Sequence, residues 1–138
     1  LYCEFESHLR YNKINMILTR NIERKDFYYN FYKSLNYVLN LSNKELDILS
    51  HFSNVRANLP REYSSSQLDA ITFNSSNRKK IALTLGISIF NLNNYIKSLK
   101  TKGILVKSDK KISIHPRIFV DINTLESPYS NEYKFNIV

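Results

Sequence analysis

Between Ile89 and Lys102 the side chains fall into two sets. Ile89, Leu92, Ile96 and Leu99 recur at helical spacing and make one apolar stripe. At about 100° per residue the opposite face presents Phe90, Asn91, Asn94, Lys97, Ser98 and Thr101. Such side chains can meet base edges. An Asn at position 94 can pair through both amide atoms with adenine, a Lys at 97 can donate to guanine or phosphate, and Phe90 can pack on a thymine methyl. The alternative is a solvated polar face with one stray aromatic.

Arg78, Lys79 and Lys80 form a second group with chemical potential. Read as the first turn of a helix over Arg78–Leu85, they oppose the helix dipole at a cost of a few tenths of a kcal/mol each. A local rule broken in one place points to a role, and phosphate contact supplies one. Lys107, Lys110 and Lys111 cluster around a turn further on and can reach the same anion. Residues 78–117 hold ten basic side chains and one acid, Asp109, a local charge of +9 in a chain of net +8. The remainder nets −1, so the excess belongs to one segment, as expected of a patch that meets a polyanion.

Other chemistries lack material. Cys3 is alone, which excludes an intrachain disulfide and leans towards a reducing, cytoplasmic setting. His8, His51 and His115 are far apart and have no cysteine beside them, so no metal site or other cofactor is expected. No glycine-rich phosphate loop, nucleophile elbow or close acidic pair is visible in a chain with two glycines, and an enzyme is not expected. No run approaches the roughly 18 apolar residues of a membrane span. No cleavable signal pattern is visible, and Leu1 in place of Met allows for residues ahead of it.

The positioning elements follow from pattern and punctuation. Ile14, Met16 and Leu18 alternate like a strand, while Leu9, Lys13, Ile17 and Arg20 suit a helix, so the start stays open. Phe27, Phe31, Leu35 and Val38 predict a helix over 23–39, widened by Tyr28, Tyr32 and Leu39, with Glu23 and Asp26 near its N-terminus. Its aromatics line more than one side. Phe27, Tyr28, Phe31, Tyr32 and Leu35 are therefore expected at a dimer or partner interface, the alternative being a core role.

Ser42 and Glu45 predict a capping box at the next helix, with Leu46, Leu49 and His51–Phe52 on its apolar side. Residues 54–66, with Pro60, read as a loop, and 67–73 as a return to order. Asn74 or Asn77 caps the helix of Ile81, Ala82 and Leu85, which ends at a left-handed Gly86. Ser88 caps the helix from Ile89 to about Lys102, and Gly103 ends it. Ile104–Lys107 and Lys111–Ile114 read as a hairpin, with Ile104 and Val106 on one side, turned by Ser108-Asp109-Lys110 and ended by Pro116. Ile118-Phe119-Val120 and the alternation of Tyr133, Phe135 and Ile137 look strand-like.

Three strings carry a resemblance: 78-RKKIALTLGIS-88, 91-NLNNYIKSL-99 and 102-KGIL-105. Residues 74–114 resemble the winged helix-turn-helix DNA-binding domains of bacterial and phage regulators, broadly the MarR-like group. The resemblance implies a supporting helix ending at Leu85, a groove-reading helix after Ser88, and a wing after Ile104. It implies double-stranded DNA as partner, bound by Arg78, Lys79, Lys80, Ser88, Phe90, Asn91, Asn94, Lys97, Ser98, Thr101, Lys107, Lys110 and Lys111. The chain departs from the compact pattern between Phe52 and Asn74, where no clean additional helix is read. The expected fold is α+β: an aromatic-rich N-terminal extension over 1–41, the winged domain over 42–116, and a strand-like tail over 117–138. A winged helix used to dock a protein partner is the alternative function.

Overall fold

The computed structural model describes residues 16–19, 24–124 and 132–135; Cys3, His8, Ile14, Glu23 and Ile137 lie outside the described residues. Among the described residues, strand β1 (Met16–Thr19) pairs antiparallel with β4 (Glu132–Phe135), placing Met16 opposite Phe135. The open choice at the start of the chain thus resolves as a strand over Met16–Thr19. Between these strands lie α1 (Phe27–Ser34), α2 (Asn36–Leu39), α3 (Asn43–Ala57), α4 (Ser65–Thr72), α5 (Ser75–Leu85) and α6 (Ile89–Thr101). A hairpin of β2 (Leu105–Ser108) and β3 (Lys111–Ile114) follows. The chain is α+β, as expected, and no described helix is long and apolar enough to cross a membrane.

Side-chain caps start the helices. Ser42 accepts from the Glu45 amide at 3.2 Å while Glu45 Oε1 accepts the Ser42 N–H at 2.9 Å, the box read from the sequence. Ser64 and Gln67 repeat the device at the same two distances. The stretch expected to be a loop therefore splits: α3 runs on to Ala57, and α4 begins at Ser65. Asn74 caps α5 by accepting from the Asn77 amide at 2.8 Å, so that helix starts three residues earlier than its apolar spacing suggested.

Gly86 and Gly103, at φ 67° and 77°, end α5 and α6 in one way. Ile87 N–H reaches the Ala82 carbonyl and Ile104 N–H the Leu99 carbonyl, both at 3.0 Å, satisfying carbonyls the helix ends would orphan. The single helix expected over 23–39 is broken instead. The Asn36 amide folds back on both backbone groups of Leu41, at 2.8 and 3.0 Å, and Asn40 adopts a left-handed φ of 56°. Val38 and Tyr37 are left exposed rather than continuing the stripe.

One buried cluster extends from Phe27 to Ile122. Phe27, Tyr28, Phe31 and Tyr32 belong to it, with Tyr28 and Tyr32 at 0% exposure. These rings, expected at an interface, pack within the chain, and Leu35 is half-buried at the bend between α1 and α2. The cover comes from the tail. Residues 118–120 form no strand; Phe119 stacks on Tyr28 at 5.6 Å, and a 3-10 turn over Ile122–Thr124 follows. The Tyr28 hydroxyl donates to the Val120 carbonyl at 2.7 Å and accepts the Ile122 N–H at 3.2 Å. Tyr32 shares a hydrogen bond with Ser53 at 2.8 Å, and burial pushes its phenol well above the usual range.

Arg56 joins three segments. Its Nε donates to Asp69 at 2.8 Å, its NH2 to Ser65 at 3.1 Å, and its guanidinium lies over the Phe119 ring at 4.8 Å. In the hairpin, Leu105 is the inward residue, opposite Ile114, whereas Val106 is half-buried opposite Ser113. Of Ile104 and Val106, expected on one side of the hairpin, Ile104 is buried just ahead of the strand and Val106 is half-buried within it.

Candidate nucleic-acid interface

Helix α6 sets the geometry of the basic segment. Leu92, Ile96 and Leu99 are buried, and Phe90, Asn91, Asn94, Lys97 and Thr101 are exposed on the other side. Ser88 caps the helix by accepting from the Asn91 amide at 3.0 Å. Thr101 donates back to the Lys97 carbonyl at 3.1 Å, leaving its oxygen lone pairs outward-facing acceptors.

Ser98 departs from the expected face. Its hydroxyl donates to Glu45 Oε2 at 2.9 Å, and Lys102 donates to Glu45 Oε1 at 2.7 Å. Glu45, read from the sequence only as a cap, is 3% exposed and ties the start of α3 to the end of α6. Burial pushes its carboxyl up; Lys102, Ser42 and Ser98 outweigh that and hold it below the usual carboxylate value. An acid buried alone would be strained, and this one is not.

Arg78 also turns inward. Because α5 starts at Ser75, Arg78, Lys79 and Lys80 stand beyond its first three residues, and the dipole conflict inferred for them is largely relieved. Arg78 Nε donates to the Phe73 carbonyl at 2.8 Å and its NH1 to Asn93 Oδ1 at 3.0 Å, bracing α5 against α6. Lys80 lines a groove between α3 and α5 with His51, Val55 and Leu59. Lys111 donates to Ser66 of α4 instead of standing at the hairpin edge.

No protein-family model, curated protein or solved structure matches the chain.

Lys79, Lys97, Lys107 and Lys110 remain exposed, and among the described residues no hydrogen bond or ion pair engages their ammonium groups. Lys100 is half-buried; desolvation first, then the charges of Lys107 and Arg78, lower its pKa. These cations are close enough to repel one another, and an anion would relieve them. The domain is thus a helical α+β unit with a small hairpin, a shape consistent with a nucleic-acid- or protein-binding module.

The hairpin tip carries a further sign of use. Asp109 and Lys110 have φ of 49° and 66°, the two left-handed positions of a type I′ turn. Asp tolerates this conformation, but Lys does so at about 1–2 kcal/mol. Lys110→Gly relieves that strain against about 0.4–1 kcal/mol of added unfolded-state entropy, so a net stabilisation of up to about 1 kcal/mol is expected in urea denaturation. It should also weaken binding to a polyanion. Stabilisation with unchanged binding would show that the charge at the tip is idle.

Proposed function

We propose that the chain is a winged helix-turn-helix that binds double-stranded DNA with sequence preference, as a transcriptional regulator or a replication initiator. In this reading α5 supports, α6 enters the major groove, and the β2–β3 hairpin is the wing. The observation that carries it is the exposed face of α6, where Asn91, Asn94, Lys97 and Thr101 offer donors and acceptors, with Lys79, Lys97, Lys107 and Lys110 engaged by no acid among the described residues. Lysines of that kind supply most of the affinity and the amides supply the discrimination. The reaction class is binding without chemistry, and the setting is the cytoplasm of a bacterium or of a host cell.

Protein docking is the second reading. It is favoured by Leu83 and Phe90, which are 84% and 71% exposed on either side of the Gly86 turn. Fluorescence anisotropy with random genomic fragments at two salt concentrations separates the readings. Absence of binding at about 50 mM salt would favour docking, because the counterion-release term is then at its strongest.

Asn94→Ala should weaken a selected duplex by about 1–3 kcal/mol and spare a scrambled one, since it removes a base-edge contact and no charge. Equal loss on both duplexes would mean that this face of α6 does not read bases.

A further inference from the structure

We infer that Asn93, held by Arg78 from the neighbouring helix, is a base reader that turns its amide oxygen towards Arg78, presents its N–H donors to the groove and favours guanine. The inference rests on the DNA-binding reading above and deepens it. Asn93 is exposed on α6, one residue before Asn94. Helical spacing puts it at the margin of the outward face, so pattern alone gives it no role.

The tether changes what Asn93 can offer. A guanidinium has donors only, so the Asn93 atom that lies 3.0 Å from Arg78 NH1 must be the carbonyl oxygen. The guanidinium is itself anchored by the bond from its Nε to the Phe73 carbonyl, at 2.8 Å. The amide is thereby fixed in one orientation, with its two N–H donors directed away from the Arg78 bond. Asn94 differs. Among the described residues no hydrogen bond holds its side chain, and it can present both a donor and an acceptor.

The two neighbours therefore suit different bases. Guanine shows two acceptors, N7 and O6, in the major groove, and thymine one, O4, beside its methyl group, whereas adenine shows an acceptor and a donor, and cytosine a donor. The two donors of Asn93 match both acceptors of guanine, find a single acceptor on thymine, and oppose the amino groups of adenine and cytosine. The unspent N–H groups of Arg78 carry the same sign of hydrogen bonding and reinforce that choice. Two asparagines of identical chemistry thus divide the readout because one arginine engages one of them.

The test selects a preferred duplex with the wild-type chain, then measures binding to duplexes changed one base pair at a time. Asn93→Asp keeps an acceptor for Arg78 and removes the donors. It should shift one position from guanine towards cytosine, changing that ratio by about tenfold or more. The added negative charge weakens all sequences alike and cancels in the ratio. Arg78→Lys should free the amide, so that adenine gains relative to guanine at the same position while the position read by Asn94 is unchanged. Thermal melting checks both variants, and Asn93→Asp decides alone if Arg78→Lys fails to fold. Unaltered preferences in Asn93→Asp would overturn the inference while leaving DNA binding intact. If the wild type enriches no duplex, the sequence-preferring reading falls and takes this inference with it.

Discussion

Tyr28→Ala should lower the free energy of unfolding by about 3–5 kcal/mol, the usual cost of truncating a fully buried aromatic. The site has few ways to collapse, because Phe27, Tyr32 and Phe119 all pack around that ring. Tyr28→Phe separates packing from hydrogen bonding. It keeps the ring and strips partners from the Val120 carbonyl and the Ile122 N–H, so a loss of about 1–3 kcal/mol is expected from that change alone. Urea denaturation followed by circular dichroism measures both. A silent Tyr28→Phe would show that the hydroxyl does not hold the tail to α1.

The second large effect concerns binding. A chain in which Lys79, Lys97, Lys107 and Lys110 are all replaced by alanine should lose most of its affinity for any duplex. The slope of log K against log salt should become shallower by about 3–4 units, at roughly 0.9 per phosphate contact. All four are exposed; Lys79 and Lys97 stand in helices, which alanine favours, and Lys107 and Lys110 stand in the hairpin, where truncation removes no buried contact, so the fold should persist and the loss can be assigned to charge. Anisotropy at a series of salt concentrations measures the slope. An unchanged slope would place the contacts elsewhere on the surface and leave the outward lysines as solvating charge.

Legibility in the sequence followed the range of the interactions. The α3 cap, the Gly86 and Gly103 stops, the Ser88 cap and the stripe of Leu92, Ile96 and Leu99 are local, and each was readable. Helix α4 is legible only as a return to order over 67–73, although Ser64 and Gln67 use the same cap grammar as Ser42 and Glu45. Its eight residues bury only Thr72, so no apolar period announced it. The start of α5 was misplaced for a similar reason, since Ser75, Ser76 and Asn77 carry no stripe.

Side chains of the site were harder still. Ser98 and Lys102 meet Glu45 across 53 and 57 residues, and Arg78 meets Asn93 across 15. No periodicity encodes such pairings, so residues assigned to an outward face were found engaged within the chain. The aromatics expected at an interface pack within the chain on the same grounds. Their surplus was real, but its cover lies 92 residues away, at Val120.

The two glycines have one more consequence. Glycine is where a chain keeps most of its backbone freedom when unfolded, and replacing it is a common route to greater stability where the native φ permits. Here both glycines sit at left-handed helix ends. A methyl group at either would meet no neighbouring atom and would still be strained by its φ. The chain thus holds no glycine that can be exchanged to stiffen its unfolded ensemble. With 2 in 138 residues, that ensemble is already poor in its most flexible residue, and the entropy lost on folding is correspondingly reduced.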